Sequence, residues 1–547
     1  MKYVIGIDFG TLSARAVVVD TVSGKVVGEA TCNYTHGVMD VALPDGTPLP
    51  PDFALQHPDD YLFSLKTSIG EALANAGADA KNVAALGIDF TACTMLAHKL
   101  DGTPICSYPE FKSDPHAYVK LWKHHGAKKE AQDLYSVAKQ RNEKWLKYCG
   151  NQVSSEWFFP KILETYRQSP SVYDSTERFS EAADWLSLVL TGKETHSSAF
   201  AGNKAFWNED DGYPSAEYFE RVEKGFGNII GTKVSPDTSP IATAVGKIDA
   251  RGAELSGLEV GTVVACPQLD AHMSMLSLDI TEPGTLMMIL GTSGCYILNH
   301  RDQLDVSGIC ASVKSSVIPG LCTYEAGIAS CGDHLDWFVK NCIPETYITE
   351  AKSRDVSIHK YLREKAKKLT VGESGLIALN WFNGNRCPLS DTALSGLVMG
   401  MTLTTSPEEI YRALIEGIVF QSAIVLERYT KNGIEIDKII ASGGIAKKDD
   451  MFMQILADVL NKPIFVANET QTGAAGGAVY ASVAAGIYPD VQTAAKTIRI
   501  GADVCYTPDK DDHRRYIQLL EMYRELHDSD LIRETMHRLK GQIRTSL

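Results

Sequence analysis

The stretch Tyr3-Val4-Ile5-Gly6-Ile7-Asp8-Phe9-Gly10-Thr11-Leu12-Ser13-Ala14-Arg15-Ala16-Val17-Val18-Val19-Asp20 decides the fold. An apolar run ends at Asp8, a Gly-Thr turn follows, and a β-branched run resumes at Val17. Ser23-Gly24 turns the chain again into residues 25–31. Short β-branched runs separated by turn residues predict an antiparallel meander. About half the chain further on, Gly291-Thr292-Ser293-Gly294 follows the apolar run 286–290 in the same strand–turn–strand arrangement. A duplicated half places both turns on one cleft; a chance repeat of a common turn explains the echo as well.

Outward from the first turn, the pattern predicts a helix over 60–76 and a short strand over 83–89. Helices dominate from 115 to about 173, a loop-rich stretch covers 198–240, and strands return at 261–266 and 285–298. Ser406-Pro407-Glu408-Glu409 is a capping box with proline at the first helical position. Ile410, Leu414, Ile418, Val425 and Leu426 then recur at helical spacing. A strand over 434–441 leads to Gly443-Gly444, which opens a helix running through 451–460. The Gly/Ala-rich stretch 473–489 is too short for a membrane span and reads as a helix packed closely on its neighbours. The domain boundary falls near 265–285, giving expected domains 1–274 and 275–547.

Composition narrows the function. The 547 residues suffice for two large domains without disulfides or structural metal. A net charge of −15 disfavours nucleic acid and anionic membranes as partners. The 12 cysteines form no Cys-x-x-Cys pair, as expected of buried thiols in a reducing cytoplasm. No secretory signal opens the chain, because Asp8 cuts short the first apolar run. No Walker A pattern occurs, which excludes P-loop NTPases. His300-Arg301-Asp302 mimics a protein-kinase catalytic loop but lacks the asparagine that motif needs, Ser307 standing in its place. His124-His125 are adjacent and, on a helix, point about 100° apart, a poor pair of metal ligands.

Three glycine turns, Gly10-Thr11, Gly291-Thr292 and Gly443-Gly444, each follow an apolar strand, where backbone amides approach phosphate closely. Asp8-Phe9-Gly10-Thr11-Leu12-Ser13-Ala14-Arg15 resembles the first phosphate motif, Asp-x-Gly-Thr-x-Ser-x-Arg, of the FGGY carbohydrate kinases. Asp270, Gly291-Thr292 and Gly443-Gly444-x-Ala446-Lys447 follow in that family's order; Leu269 stands where many members have glycine before the aspartate. The stretch Gly87-Ile88-Asp89-Phe90-Thr91-Ala92-Cys93-Thr94-Met95 is similar to the sugar loop of the family's L-ribulokinase branch. So are the expected helix from Pro115 to His125, Ser154-Ser155-Glu156-Trp157, Gly202-Asn203-Lys204-Ala205-Phe206-Trp207 and Tyr324-Glu325-Ala326-Gly327.

The resemblance implies an α/β fold of two RNase-H-like domains, of the actin-like ATPase type, flanking a deep interdomain cleft. It implies ATP-dependent phosphorylation of the terminal hydroxyl of L-ribulose to L-ribulose 5-phosphate, in L-arabinose breakdown. Another pentulose or pentitol as acceptor, or a non-catalytic sugar sensor, are the alternatives. In the implied site Asp270 is the general base. Asp8 holds Mg²⁺ through water, Thr11 and Ser13 donate to phosphate, and Arg15 brings positive charge near the transferred group. Gly10, Gly291, Thr292, Gly443, Gly444 and Lys447 complete the ATP side. Trp122 covers the sugar's C–H face, Lys204 and Glu325 fix hydroxyls, and the Ala92 amide adds a donor. A cytoplasmic homodimer, with sugar and ATP as its small-molecule partners, is expected.

Overall fold

The computed structural model describes residues 2–468 and 471–545. β1 (Tyr3–Phe9), β2 (Ser13–Asp20) and β3 (Val26–Asn33) form the expected antiparallel meander. After helix α1 (Pro58–Ala76), β4 (Val83–Phe90) returns parallel to β1. β5 (Ala244–Lys247) and β6 (Val263–Ala265) complete the sheet, whose order is β5-β6-β4-β1-β2-β3. Helix α2 (Asp270–Ser277) leads out of it.

A second sheet repeats this plan. β7 (Thr285–Leu290) and β8 (Gly294–His300) form its hairpin, followed by β9 (Ala311–Lys314) and β10 (Cys322–Ile328). Helix α3 (Pro407–Lys431) precedes β11 (Lys438–Ser442) and β12 (Ile464–Ala467). Helix α4 (Thr472–Ala484) and the edge strand β13 (Ala502–Tyr506) follow. The order is β9-β10-β8-β7-β11-β12-β13. β7 therefore answers β1: each has an antiparallel hairpin partner on one side and two successive parallel strands on the other. Both sheets end in an antiparallel edge strand on that parallel side. The duplication left open by the echo of two turns is present as a repeated topology.

α4 comes from the second half of the chain yet lies on the first sheet. Its small residues let the backbones meet: a Cβ on Gly6 would stand 1.7 Å from the Ala474 carbonyl oxygen, and one on Gly87 1.9 Å from that of Gly477. Buried Ala474, Ala478, Val479 and Tyr480 join Val4, Ile7, Leu86 and Ile88 in one core. α3 starts at its capping box, with the Ser406 amide donating to Glu409 Oε2 at 2.6 Å, and is buried over most of its length in the second core. A third core, rich in aromatic residues including Phe53, Trp145, Phe159, Phe206 and Phe219, fills the insertion between β3 and β5.

The helix expected over 115–125 is absent. Pro115–Ala117 forms a single 3₁₀ turn and Val119–Lys120 a short strand paired with Leu55–Gln56. Fully buried Lys120 is the cause: its Nζ lies 2.6 Å from Glu164 Oε2 and also donates to the Lys161 carbonyl and the Thr165 hydroxyl. A buried ammonium so bonded outweighs local helix propensity.

Candidate active site

Three carboxylates meet where the strands of the first sheet end. Asp8 of β1 and Asp89 of β4 are register partners on adjacent parallel strands. Beyond β6 the chain pairs again with β4, Gln268 with Asp89 and Leu269 with Phe90, and so delivers Asp270 at the first residue of α2. Asp270 Oδ1 accepts from the Ala271 amide at 2.7 Å. α4 begins beside the same group: a Cβ on Gly473 would stand 3.2 Å from Asp89 Oδ1 and 3.3 Å from Asp8 Cγ. The positive end of that helix thus faces two acids.

Their electrostatics follow from this crowding. Burial pushes the Asp270 carboxyl up to about 7, with the negative charge of Asp8 adding to the effect. Burial also holds Asp8 above the ordinary carboxylate range, although Arg15, its partner on β2, places Nη1 3.3 Å from Asp8 Oδ2. Asp89 is wholly buried, and neither of its oxygens has a hydrogen-bond donor among the described residues. Burial first, then Asp8, drives it well above the usual range.

On the other side, Lys204 ends the helix Ser198–Lys204 and Glu325 sits in β10. Lys204 Nζ donates to Glu325 Oε1 at 2.8 Å, and His272 Nε2 lies 3.2 Å from Glu325 Oε2. Against the upward push of burial, Lys204 and His272 hold the Glu325 carboxyl far below its ordinary value. Lys204 feels both Glu325 and the opposing penalty of burial, and the balance keeps it firmly protonated. His272 was not foreseen, although it stands two residues beyond Asp270 on the same short helix.

Ala92 lies in the turn after β4, beside Cys93 with φ 59°. Trp122 occupies a turn rather than a helix, and its Nε1 donates to Thr11 Oγ1 at 3.1 Å. That bond ties the insertion to the first glycine turn. His124 binds Glu164 Oε2 at 2.8 Å in the fully buried cluster with Lys120 and serves the insertion's core.

In both of these glycine turns the leading glycine amide bonds forward within the turn, three residues on in the first and two in the second. The Gly10 amide donates to Ser13 O at 3.0 Å, and the Gly291 amide to Ser293 O at 3.1 Å. Carbonyls of Gly291 and Thr292 accept from Gly332 and Cys331, which brace the second turn. Gly443, at φ 95°, ends β11 so close to β7 that a Cβ would fall 2.4 Å from Leu290 O. Gly444 opens the helix Gly444–Lys448; the single helix expected through residue 460 is broken at Asp449, whose Oδ1 caps Phe452 N at 2.9 Å. Lys447 Nζ is bound to the Asn468 carbonyl at 2.9 Å.

Among the described residues no three metal-ligating side chains gather into a cage. Asp8, with buried Asp89 behind it, offers a hard oxygen donor, which suits a magnesium ion that keeps most of its waters.

A duplicated strand topology, a glycine turn at the same place in each half, and an acid at the start of a helix between them define a two-domain sugar kinase of the actin-like ATPase type. The chain belongs to the FGGY family of carbohydrate kinases. The model of that family's N-terminal domain matches residues 3–277 and that of its C-terminal domain residues 286–485. It is an ATP-dependent carbohydrate kinase. Ribulokinase of Bacillus licheniformis is 41% identical over 94% of this chain and 94% of its own length. Ribulokinase of Geobacillus thermodenitrificans is 41% identical over 96% and 94%. Solved structures share the fold at low identity: gluconate kinase of Lactobacillus acidophilus has a TM-score of 0.79 at 19% identity, covering 96% of this chain and 98% of that one. Xylulose kinase of Rhodospirillum rubrum has a TM-score of 0.78 at 22% identity, covering 98% and 100%.

Proposed function

We propose that this enzyme is a ribulokinase, transferring the γ-phosphoryl group of ATP to the terminal hydroxyl of L-ribulose to give L-ribulose 5-phosphate in L-arabinose breakdown. The observation that carries the reading is the grouping of Lys204, Glu325 and His272 near Asp270, together with relatives of that name along nearly the whole chain.

Asp270 takes the proton of the sugar hydroxyl as its oxygen bonds to the γ-phosphorus and the bond to the ADP oxygen breaks. A carboxyl poised near 7 is suited to that role at neutral pH. Lys204 and Glu325 hold sugar hydroxyls, the amide of Ala92 adds a donor, and Trp122 lines the sugar's C–H face. Gly10, Thr11, Ser13 and Arg15 from one turn, and Gly291 and Thr292 from the other, bind the phosphates. Gly443, Gly444 and Lys447 border the nucleoside. Asp8 holds Mg²⁺ through water, and the ion when bound neutralises phosphate charge. Residues 1–274 form the sugar side and 275–547 the nucleotide side, and a cytoplasmic homodimer belongs to the same reading.

A phosphorylation panel with ATP over the four ketopentoses, ribitol and arabitol tests the substrate. L-ribulose leading in kcat/KM supports the reading; another pentulose or a pentitol leading replaces it. Light scattering reads the oligomeric state.

A further inference from the structure

Beyond the Lys204–Glu325 bond, another ion pair that joins the two halves of the chain lies near it. Arg386 Nη2 donates to Glu156 Oε1 at 3.2 Å, across 230 residues of sequence. Neither side chain is lost in the core: Arg386 keeps 27% of its surface and Glu156 18%. Both sit on braced backbone. Asn385 and Asp391 exchange two hydrogen bonds of 2.8 Å, closing the loop that carries Arg386, and the Cys387 carbonyl accepts from Gln421 at 2.8 Å. Just before Glu156, the Gln152 side chain donates to Ile309 O at 2.6 Å and Asn151 to Ser307 at 3.3 Å, which stitches the same seam.

The pair lies close to the Lys204–Glu325 bond. The Cys295 thiol in β8 feels the charges of Glu325, Lys204, Arg386 and Asp270 together. The Cys310 amide donates to the Glu325 carbonyl at 2.8 Å, and the Cys310 thiol lies 3.6 Å from that of Cys387, the neighbour of Arg386. Contacts therefore run from the helix of Asp270 through His272 to Glu325 with Lys204, and from Glu325 through Cys310 to the loop of Arg386 with Glu156. A five-carbon sugar whose reacting hydroxyl meets Asp270 extends its other end toward Arg386. That guanidinium has five N–H donors and spends one on protein among the described residues.

We propose that Arg386, aimed by Glu156 across the seam, is a specificity-determining residue that hydrogen-bonds the C1 hydroxyl of the sugar, the end remote from phosphoryl transfer. Glu156 is a positioning residue: its carboxylate fixes one arm of the fork and leaves the others for substrate. The inference rests on the ketopentose reading above.

The test is a cycle between protein and substrate: wild type and Arg386→Gln, each assayed with L-ribulose and with 1-deoxy-L-ribulose, which lacks the C1 hydroxyl. Wild type is expected to prefer L-ribulose by about tenfold to a hundredfold in kcat/KM, the range of a charge-assisted hydrogen bond. In Arg386→Gln that preference collapses below about threefold, chiefly through KM for L-ribulose, while the deoxy sugar reacts nearly as in wild type. Glu156→Gln shifts the preference in the same direction by less. Loss of the same factor on both sugars, or a preference unchanged in Arg386→Gln, overturns the proposal. Should Arg386→Gln not fold, judged by binding of a non-hydrolysable ATP analogue, Arg386→Lys replaces it; an undiminished preference there is equally fatal. If wild type turns over another ketopentose instead of L-ribulose, the substrate assignment fails by itself, and the cycle is run on that sugar and its 1-deoxy form.

Discussion

Lys204 Nζ stands 2.8 Å from Glu325 Oε1, although the two residues are 121 apart in sequence and belong to different halves of the chain. The bond makes the proposed sugar site a property of the whole molecule, because neither half holds both charges. Glu325 also meets His272 on its other oxygen, so one carboxylate organises two neighbouring polar groups.

Lys204→Ala should therefore lower kcat/KM for the sugar by about tenfold to a hundredfold, corresponding to ~1–3 kcal/mol for stranded polar partners. ATP-analogue binding without sugar should stay within about twofold of wild type. Isothermal titration of the analogue and steady-state kinetics with the sugar separate the two. Equal losses on both sides would remove Lys204 from the sugar site.

Asp270→Asn keeps the shape and removes the base. Turnover should fall by about 10²–10⁴. Stability should move the other way, and its sign follows from the raised pKa. Between the ordinary aspartate value and about 7 the folded enzyme holds a proton that the unfolded chain releases, so the Asp270 carboxyl weakens folding progressively as pH rises through that window. The asparagine variant should melt higher than wild type at pH 8 and equally at pH 4. A lower Tm at pH 8 would mean that the carboxylate is stabilised in place.

The same displacement predicts the pH profile of catalysis. kcat/KM should fall about tenfold per unit below pH 7 and level off above it, since the ionised form of Asp270 is the proposed base. Glu325 stays ionised throughout that range and contributes nothing to the limb. An acid limb centred near 4 would exclude Asp270 as the titrating base.

The legible parts of this molecule are local ones. The meander around Asp8, the capping box at Ser406 and the small-residue helix after Gly473 were all readable, because neighbours in sequence determine each. Residues 115–125 misled, since their conformation is set by Glu164, some forty positions away, meeting Lys120 and His124 in a dry pocket. No local pattern sets Asp89 beside Asp8 or His272 beside Glu325, for a related reason. Asp89 gains its place by register with Asp8, and His272 by the angle at which α2 leaves the sheet toward Glu325. The bond between Arg386 and Glu156 joins segments that no local pattern connects.

Gly87 tests how α4 is seated. A methyl group there would stand 1.9 Å from the Gly477 carbonyl oxygen, backbone against backbone, so no side chain can rotate away to make room. Gly87→Ala should cost at least ~1–3 kcal/mol, read as a lowered urea midpoint. Because α4 begins beside Asp8 and Asp89, sugar and ATP use should decline together, in contrast to Lys204→Ala. A stable variant with normal kinetics would mean that the helix sits further from the sheet.

The last prediction concerns coupling between the two substrates. The proposed sugar site draws Lys204 and Glu156 from one half, Glu325 and Arg386 from the other. The phosphate turns are likewise split, Gly10 in one sheet and Gly291 in the other. A sugar that bridges Lys204, Glu325 and Arg386 favours the approach of the halves, and that approach brings Gly10 and Gly291 toward each other. Closure also guards the chemistry, because an open site transfers phosphate to water. L-ribulose should then tighten binding of a non-hydrolysable ATP analogue, and by linkage the analogue should tighten L-ribulose by the same factor, of order ~1–3 kcal/mol. Paired calorimetric titrations, each with the other ligand saturating, measure both factors, and small-angle scattering should show a smaller radius of gyration with both bound. The dependence runs through specific bonds, so Lys204→Ala, with analogue binding alone intact, should lose most of the coupling even at saturating sugar. Unequal factors would point to a second binding mode, and independent binding with an unchanged radius would mean that the halves do not move together on the sugar.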